Sequence, residues 1–154
     1  MKPDLSEVCF DCGARLSAGL TCQAIFDEFL VLEFNDPAFG AVHFLSVACF
    51  MIQHKRYSDE GLIWIENQMQ AYLEGRATLV QIRAAAAQEV GSSKRSWKIN
   101  RQPDERPLPM IHWSMTITDI WLNFEDAQSY HKIVRRWART TLEEMKPWLE
   151  HCNS

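Results

Sequence analysis

The spacing of the cysteines constrains the N-terminal part of this chain more than any other feature. Cys9, Phe10, Asp11 and Cys12 form a CxxC run closed by Gly13, and Cys22 follows after nine further residues. A CxxC turn reverses the chain between its thiols, so both can reach one ion, and a glycine after the second cysteine accepts the positive φ of such a turn. Thr21 is a good N-cap, which puts Cys22 in the first turn of a helix. There the helix dipole and the unpaired N–H groups favour a thiolate. Three converging thiolates suit a tetrahedral cation, and the expected cofactor is one structural Zn2+ completed by a fourth ligand. A redox role fits less well, because redox CxxC pairs open a helix after a strand, whereas the chain before Cys9 is short and polar.

The fourth ligand is read as a histidine. Apolar periodicity predicts a helix over about 22–34 and a second over about 38–54. Asn35-Asp36-Pro37 joins them, with Asp36 as N-cap and Pro37 at the first helical position. Antiparallel packing of the two would lay the end of the second beside the start of the first, bringing His54 to Cys22. His43 lies eleven residues before His54, about 16 Å along a helix rising 1.5 Å per residue. One ion cannot easily use both, so the expected ligands are Cys9, Cys12, Cys22 and His54, with His43 as the alternative and Cys49 third. Cys49, among apolar neighbours, reads better as a small buried hydrophobe, and Cys152 as incidental.

A chain of 154 residues with 47% hydrophobic and 23% charged residues is of ordinary single-domain size and composition. Ser58 opens a third helix that stops at Gly75, Thr78 caps a fourth over about 79–90, and Thr118-Asp119 caps a short helical turn through Phe124. Tyr130, Val134, Trp137, Thr141, Met145 and Trp148 step by three or four along a last helix over about 126–148. The expected fold is mainly α: a small bundle of about five helices with an N-terminal zinc-knuckle-like CxxC loop over 1–22, packed on 22–34 and 37–54. A long irregular or short β segment over about 91–115 interrupts the bundle. The whole of 1–154 is read as one domain. No apolar leader precedes Cys9 and no run of about 18 apolar residues exists, so a cytoplasmic protein without membrane partners is expected. Reduced thiols in that compartment agree with metal ligation.

Two further groupings carry chemistry. His43 and His131 could meet in the bundle, with Glu33, Glu66 or Asp119 as carboxylate partner, forming a second metal site or a general base. No HxxH, ExxH or HExxH spacing supports them. Lys94, Arg95, Trp97, Lys98 and Arg101 interleave positive charge with an aromatic ring, as a nucleic-acid contact would. The net charge of −4 argues against a nucleic-acid binder acting over its whole surface. P-loop, dinucleotide-binding, nucleophile-elbow and kinase signatures are absent. The leading functional expectation is a zinc-stabilised binding or adaptor module with a protein partner. The alternatives are a hydrolase or transferase using His43 and His131, and a nucleic-acid binder through 94–101.

The chain also resembles a family of uncharacterised bacterial proteins known as a domain of unknown function. The resemblance rests on Cys9-Phe10-Asp11-Cys12-Gly13-Ala14, Thr21-Cys22, Ala41-Val42-His43-Phe44-Leu45-Ser46-Val47, Ile52-Gln53-His54 and Tyr57-Ser58. A weaker match covers 115–119 and the final helix around His131, Val134, Arg135, Trp137 and Ala138. It implies a zinc-ligand set of Cys9, Cys12, Cys22 and one of His43 or His54, and it implies no activity. Where that family has proline after the QH pair this chain has Lys55, so the second helix is expected to run slightly further.

Overall fold

The computed structural model describes residues 4–90 and 99–152. The N-terminal knuckle is a two-stranded antiparallel ribbon, β1 (Glu7–Val8) paired with β2 (Arg15–Leu16) in the register Glu7↔Leu16 and Val8↔Arg15. Among the described residues eight helices follow: α1 (Cys22–Asn35), α2 (Pro37–Gly40), α3 (His43–Gln53), α4 (Asp59–Leu73), α5 (Leu79–Val90), α6 (Ile117–Asn123), α7 (Ala127–Glu144) and α8 (Lys146–Cys152). The protein is mainly helical, with its cysteine cluster near the N-terminus.

Side chains start the helices where the sequence places them. Thr21 Oγ1 accepts from Ala24 N at 3.1 Å, Asp36 Oδ1 from Ala38 N at 2.9 Å and Ser58 Oγ from Gly61 N at 3.0 Å. Thr78 Oγ1 accepts from Gln81 N while Gln81 Oε1 accepts from Thr78 N, a reciprocal pair that satisfies two donors at the start of α5.

α7 is the centre of the bundle and packs on α2, α3, α4 and α6. Its Tyr130, Val134, Trp137 and Thr141 are fully buried, as are Met145 and Trp148 just beyond it. Around this stripe lie Ile25, Phe29, Leu45, Ile52, Leu62 and Ile120 in one continuous core. Gln53 crosses it as a polar tie, its Nε2 donating to Met115 O at 2.9 Å and to Thr141 Oγ1 at 3.1 Å.

Four elements differ from the sequence expectation. The helix expected over 38–54 is two, because the chain turns at Ala41-Val42 after α2 has run close against α1. A Cβ at Gly40 would stand 2.6 Å from the Glu33 carbonyl oxygen, so only glycine permits that approach. The last helix breaks at Met145, since Pro147 has no N–H for the Glu143 carbonyl and its ring would crowd that turn. The cap of α6 is Thr116 rather than Thr118: Thr116 N donates to Asp119 Oδ2 at 2.7 Å, while Thr118 is buried with its hydroxyl donating to Arg15 O at 2.9 Å.

Finally, α3 does not run past His54. Lys55 takes a left-handed conformation (φ 57), Lys55 N donates to Ile52 O at 3.0 Å and Arg56 N to Met51 O at 2.9 Å. These two bonds form a Schellman stop with lysine where glycine is usual.

Of the segment expected to be irregular or β, residues 99–115 are described and include an isolated bridge, Tyr57↔Asn100, but no strand. Ser58 N donates to Ile99 O, and Arg101 N to Arg56 O at 2.8 Å, so this stretch is laid against the start of α4.

Candidate metal centre

Three separate pieces of chain deliver the four ligands. Cys9 and Cys12 come from the knuckle, where Cys9 N donates to Ala14 O at 2.8 Å and Gly13 N to Cys9 O at 3.0 Å. Gly13 has φ 77, a conformation that a side chain would strain, so the CxxCG turn depends on it. Ala14 N points at Cys12 Sγ, 3.4 Å away, and so supports negative charge on that sulfur. Cys22 is the first residue of α1, directly after the Thr21 cap. His54 caps the C-terminus of α3.

Their ligand atoms all lie within 4.8 Å of one another. Cys12 Sγ and Cys22 Sγ are 3.6 Å apart, and Cys9 Sγ is 3.8 Å from His54 Nε2. Cys12, Cys22 and His54 are buried and Cys9 is half-buried. The histidine is oriented before any ion arrives. Its Nδ1 lies 2.7 Å from the Phe50 carbonyl, which can only accept, so Nδ1 carries the proton and Nε2 turns its lone pair toward the sulfurs. The ring also packs at a tilt on Phe50 (4.3 Å between centroids), which stacks face to face on Phe26 of α1 (4.1 Å).

The electrostatics favour a shared cation. A hydrogen bond from Cys22, opposed by burial and helped by His54, holds the Cys12 thiol down to about 4. Cys22 is pushed up by the same contact, by burial and by Cys9. The two sulfurs stand 3.6 Å apart, and a metal ion bound among the three thiols would meet their negative charge together. The donor set fits such an ion: four protein atoms of thiolate and imidazole type, converging from different elements.

The other expected site residues lie elsewhere. His43 is bonded through Nδ1 to Glu33 Oε1 at 2.7 Å and is not among the four. Of the three carboxylates weighed for it, Glu33 is the one that reaches it. Sequence reading missed two more members of that group: Ser46 donates to Glu33 Oε2 at 2.7 Å, and Tyr130 donates to the same oxygen. A tyrosine in an otherwise apolar stripe was the available signal, since a buried phenol needs a partner. His131 is half-buried, and burial, then Arg135, lowers its pKa. Cys49 is fully buried, and burial raises its thiol out of reach of ionisation.

Lys94, Arg95, Trp97 and Lys98 lie outside the described residues. Arg101 is described and is engaged internally: it pairs with Asp59, and donates to Tyr57 O at 2.9 Å and to Arg106 O at 3.0 Å. Among the described residues no helix is long and apolar enough to cross a membrane.

These features define a helical protein carrying a Cys3His cluster that can hold a metal ion. Residues 7–146 match the model of a family of unknown function (DUF5946), and the chain belongs to that family. No curated protein and no solved structure matches it.

Proposed function

We propose that Cys9, Cys12, Cys22 and His54 bind one Zn2+ in a structural role, and that the chain is a small bacterial adaptor of the cytoplasm. The observation that carries this reading is the completeness of the donor set. With Zn–S of about 2.3 Å, a tetrahedral site spaces its sulfurs about 3.8 Å apart, close to the 3.6 Å between Cys12 and Cys22. Four protein ligands leave no position for substrate or water, so the ion fastens rather than reacts. Its effect is to clamp the knuckle, which buries only a few apolar side chains of its own, onto α1 and α3.

An adaptor needs a contact surface, and the knuckle supplies one. Val8 (59% exposed), Phe10 (89%) and Met110 (61%) stand beside a cleft of about 450 Å³ between the CxxC turn and residues 110–113. Large apolar side chains grouped like this are suited to a protein partner.

Metal analysis of purified protein is expected to give about one zinc per chain, falling to none in Cys12→Ser. A protein with no bound metal and freely reactive thiols at Cys9, Cys12 and Cys22 would refute the reading. A second reading, a histidine-based hydrolase or transferase, draws on the Glu33–His43 hydrogen bond, which orients the imidazole as a general base would be oriented. Turnover that depends on His43 and His131 would favour it.

A further inference from the structure

Glu33 is a carboxylate with almost no exposure, its side chain 1% accessible. Its charge is met by donors from two other helices: His43 Nδ1 and the Ser46 hydroxyl from α3, and the Tyr130 hydroxyl from α7. This commits the Nδ1–H of His43 inward and leaves its Nε2 without a partner among the described residues, on a ring 40% exposed. The same histidine forms part of the wall of a cavity between α3, α4 and α5, of about 280 Å³. Phe44, Val47, Trp64, Ile82 and Ala86 are among its apolar wall residues, and Arg83 is the one fixed cation in it. Arg83 has no carboxylate partner among the described residues.

We propose that this cavity binds a small apolar carboxylic acid, its carboxylate held between His43 Nε2 and Arg83. Charge decides for an acid over a neutral or cationic ligand. Arg83 brings a positive charge with no carboxylate partner among the described residues, and the Nδ1 contact with Glu33 leaves His43 Nε2 free to share the acid's proton. A bound cation would instead sit beside the like charge of Arg83 against an apolar wall. Binding transfers one proton to Nε2, from the acid's own O–H or from solvent, and no other bond changes. Size decides the class. At about 30 Å³ per water-sized group, 280 Å³ holds roughly nine such groups, which suits an arylacetic or medium-chain fatty acid and excludes a nucleotide. The site shares no ligand with the metal centre, so the proposal does not depend on zinc being the bound ion.

The test uses the full-length, metal-loaded protein with phenylacetate and octanoate as probes and phenylacetamide as the uncharged isostere, read by calorimetry and ligand-observed NMR. Phenylacetate is expected to bind at least ten-fold more tightly than phenylacetamide. Arg83→Gln, a change at an exposed position, should weaken it by at least ten-fold. Ala86→Phe should abolish binding by filling the cavity, and His43→Gln should reduce the preference for acid over amide. Helical circular dichroism and metal content establish that each variant is folded. Equal affinity for acid and amide, full binding to Ala86→Phe, or no binding of either acid at millimolar concentration would each overturn the proposal.

Discussion

Replacing Tyr130 by phenylalanine removes one oxygen from the middle of the bundle and leaves the ring in place. The ring is held edge-on by Phe124 (5.0 Å between centroids) and Phe29 (5.6 Å), contacts that phenylalanine keeps. What is lost is one donor to the buried Glu33 carboxylate. Burial and the neighbouring carboxylate raise the Tyr130 pKa far above the ordinary tyrosine range, so the phenol is a donor at every accessible pH. A hydrogen bond to a charged group contributes about 1.5–3 kcal/mol. Ser46 and His43 remain to satisfy the carboxylate in part, so the expected loss is near the middle, about 2 kcal/mol. For a chain of this size each kcal/mol moves Tm by about 2–4 °C, so Tm should fall by about 4–8 °C.

Urea unfolding of metal-loaded protein measures the loss directly, with an unchanged m-value as the sign that only stability has moved. A double-mutant cycle with Glu33→Gln separates the charge from the packing. The amide oxygen is neutral, and its NH2 would meet His43 Nδ1–H where Oε1 now accepts, so the phenol loses its charged acceptor and the two substitutions should overlap by about 1–2 kcal/mol. A Tyr130→Phe variant within about 0.5 kcal/mol of wild type, or strict additivity in the cycle, would show that the carboxylate does not depend on the phenol and would refute the reasoning.

Three smaller perturbations probe other contacts. Lys55→Gly relieves a left-handed lysine, worth about 1–2 kcal/mol, against about 0.5–1 kcal/mol of added unfolded-state freedom. A rise in unfolding free energy of about 0.5–1 kcal/mol is the expected net, and a fall would contradict the Schellman assignment. Gly61→Ala puts a Cβ 2.5 Å from the Ile99 carbonyl oxygen, so a loss of about 1–3 kcal/mol in chemical denaturation is expected. Asp59 feels burial, which raises its pKa, but hydrogen bonds from Arg101 and Cys152 and the nearby positive charge of Arg101 together outweigh this, and the net shift is downward. A carboxyl lowered in the folded state stabilises above its unfolded pKa and loses that contribution as pH falls through the folded value. Asp59→Asn should therefore destabilise at neutral pH, with the gap closing below about pH 4; a gap constant from pH 7 to pH 3 would exclude the ion pair as its source.

Local signals in the sequence carry the helix starts and the buried stripe of α7, because a cap or an apolar repeat acts over one or two turns. Thr21, Asp36 and Ser58 all cap as their positions suggest. The CxxCG turn is legible for the same reason: the reversal between Cys9 and Cys12 needs only its own residues and Gly13. Non-local packing was harder to read. The break between α2 and α3 comes from the approach of Gly40 to the Glu33 backbone, a contact seven residues distant in sequence but on another helix. Placing His54 beside Cys22 required assuming how the helices pack, and periodicity alone does not supply that. The partnership of Glu33 with Tyr130 spans 97 residues and has no local signature at all. Thr116 and Asp119 show a different failure: two threonines two residues apart compete for one cap, and local sequence does not say that Thr118 turns its hydroxyl to Arg15 O instead.

The stop at Lys55 makes α3 a spacer of fixed length. His54 reaches the sulfurs only because eleven helical residues, His43–Gln53, separate it from the turn at Val42. Adding or deleting one residue in that helix would rotate the imidazole by about 100° and shift it by about 1.5 Å, pointing Nε2 away from Cys9. A metal held by the four ligands would therefore read out the register of α3. Length changes in residues 99–115 would leave the centre intact, whereas a single insertion between Val42 and Lys55 would uncouple the knuckle from the bundle without altering any ligand.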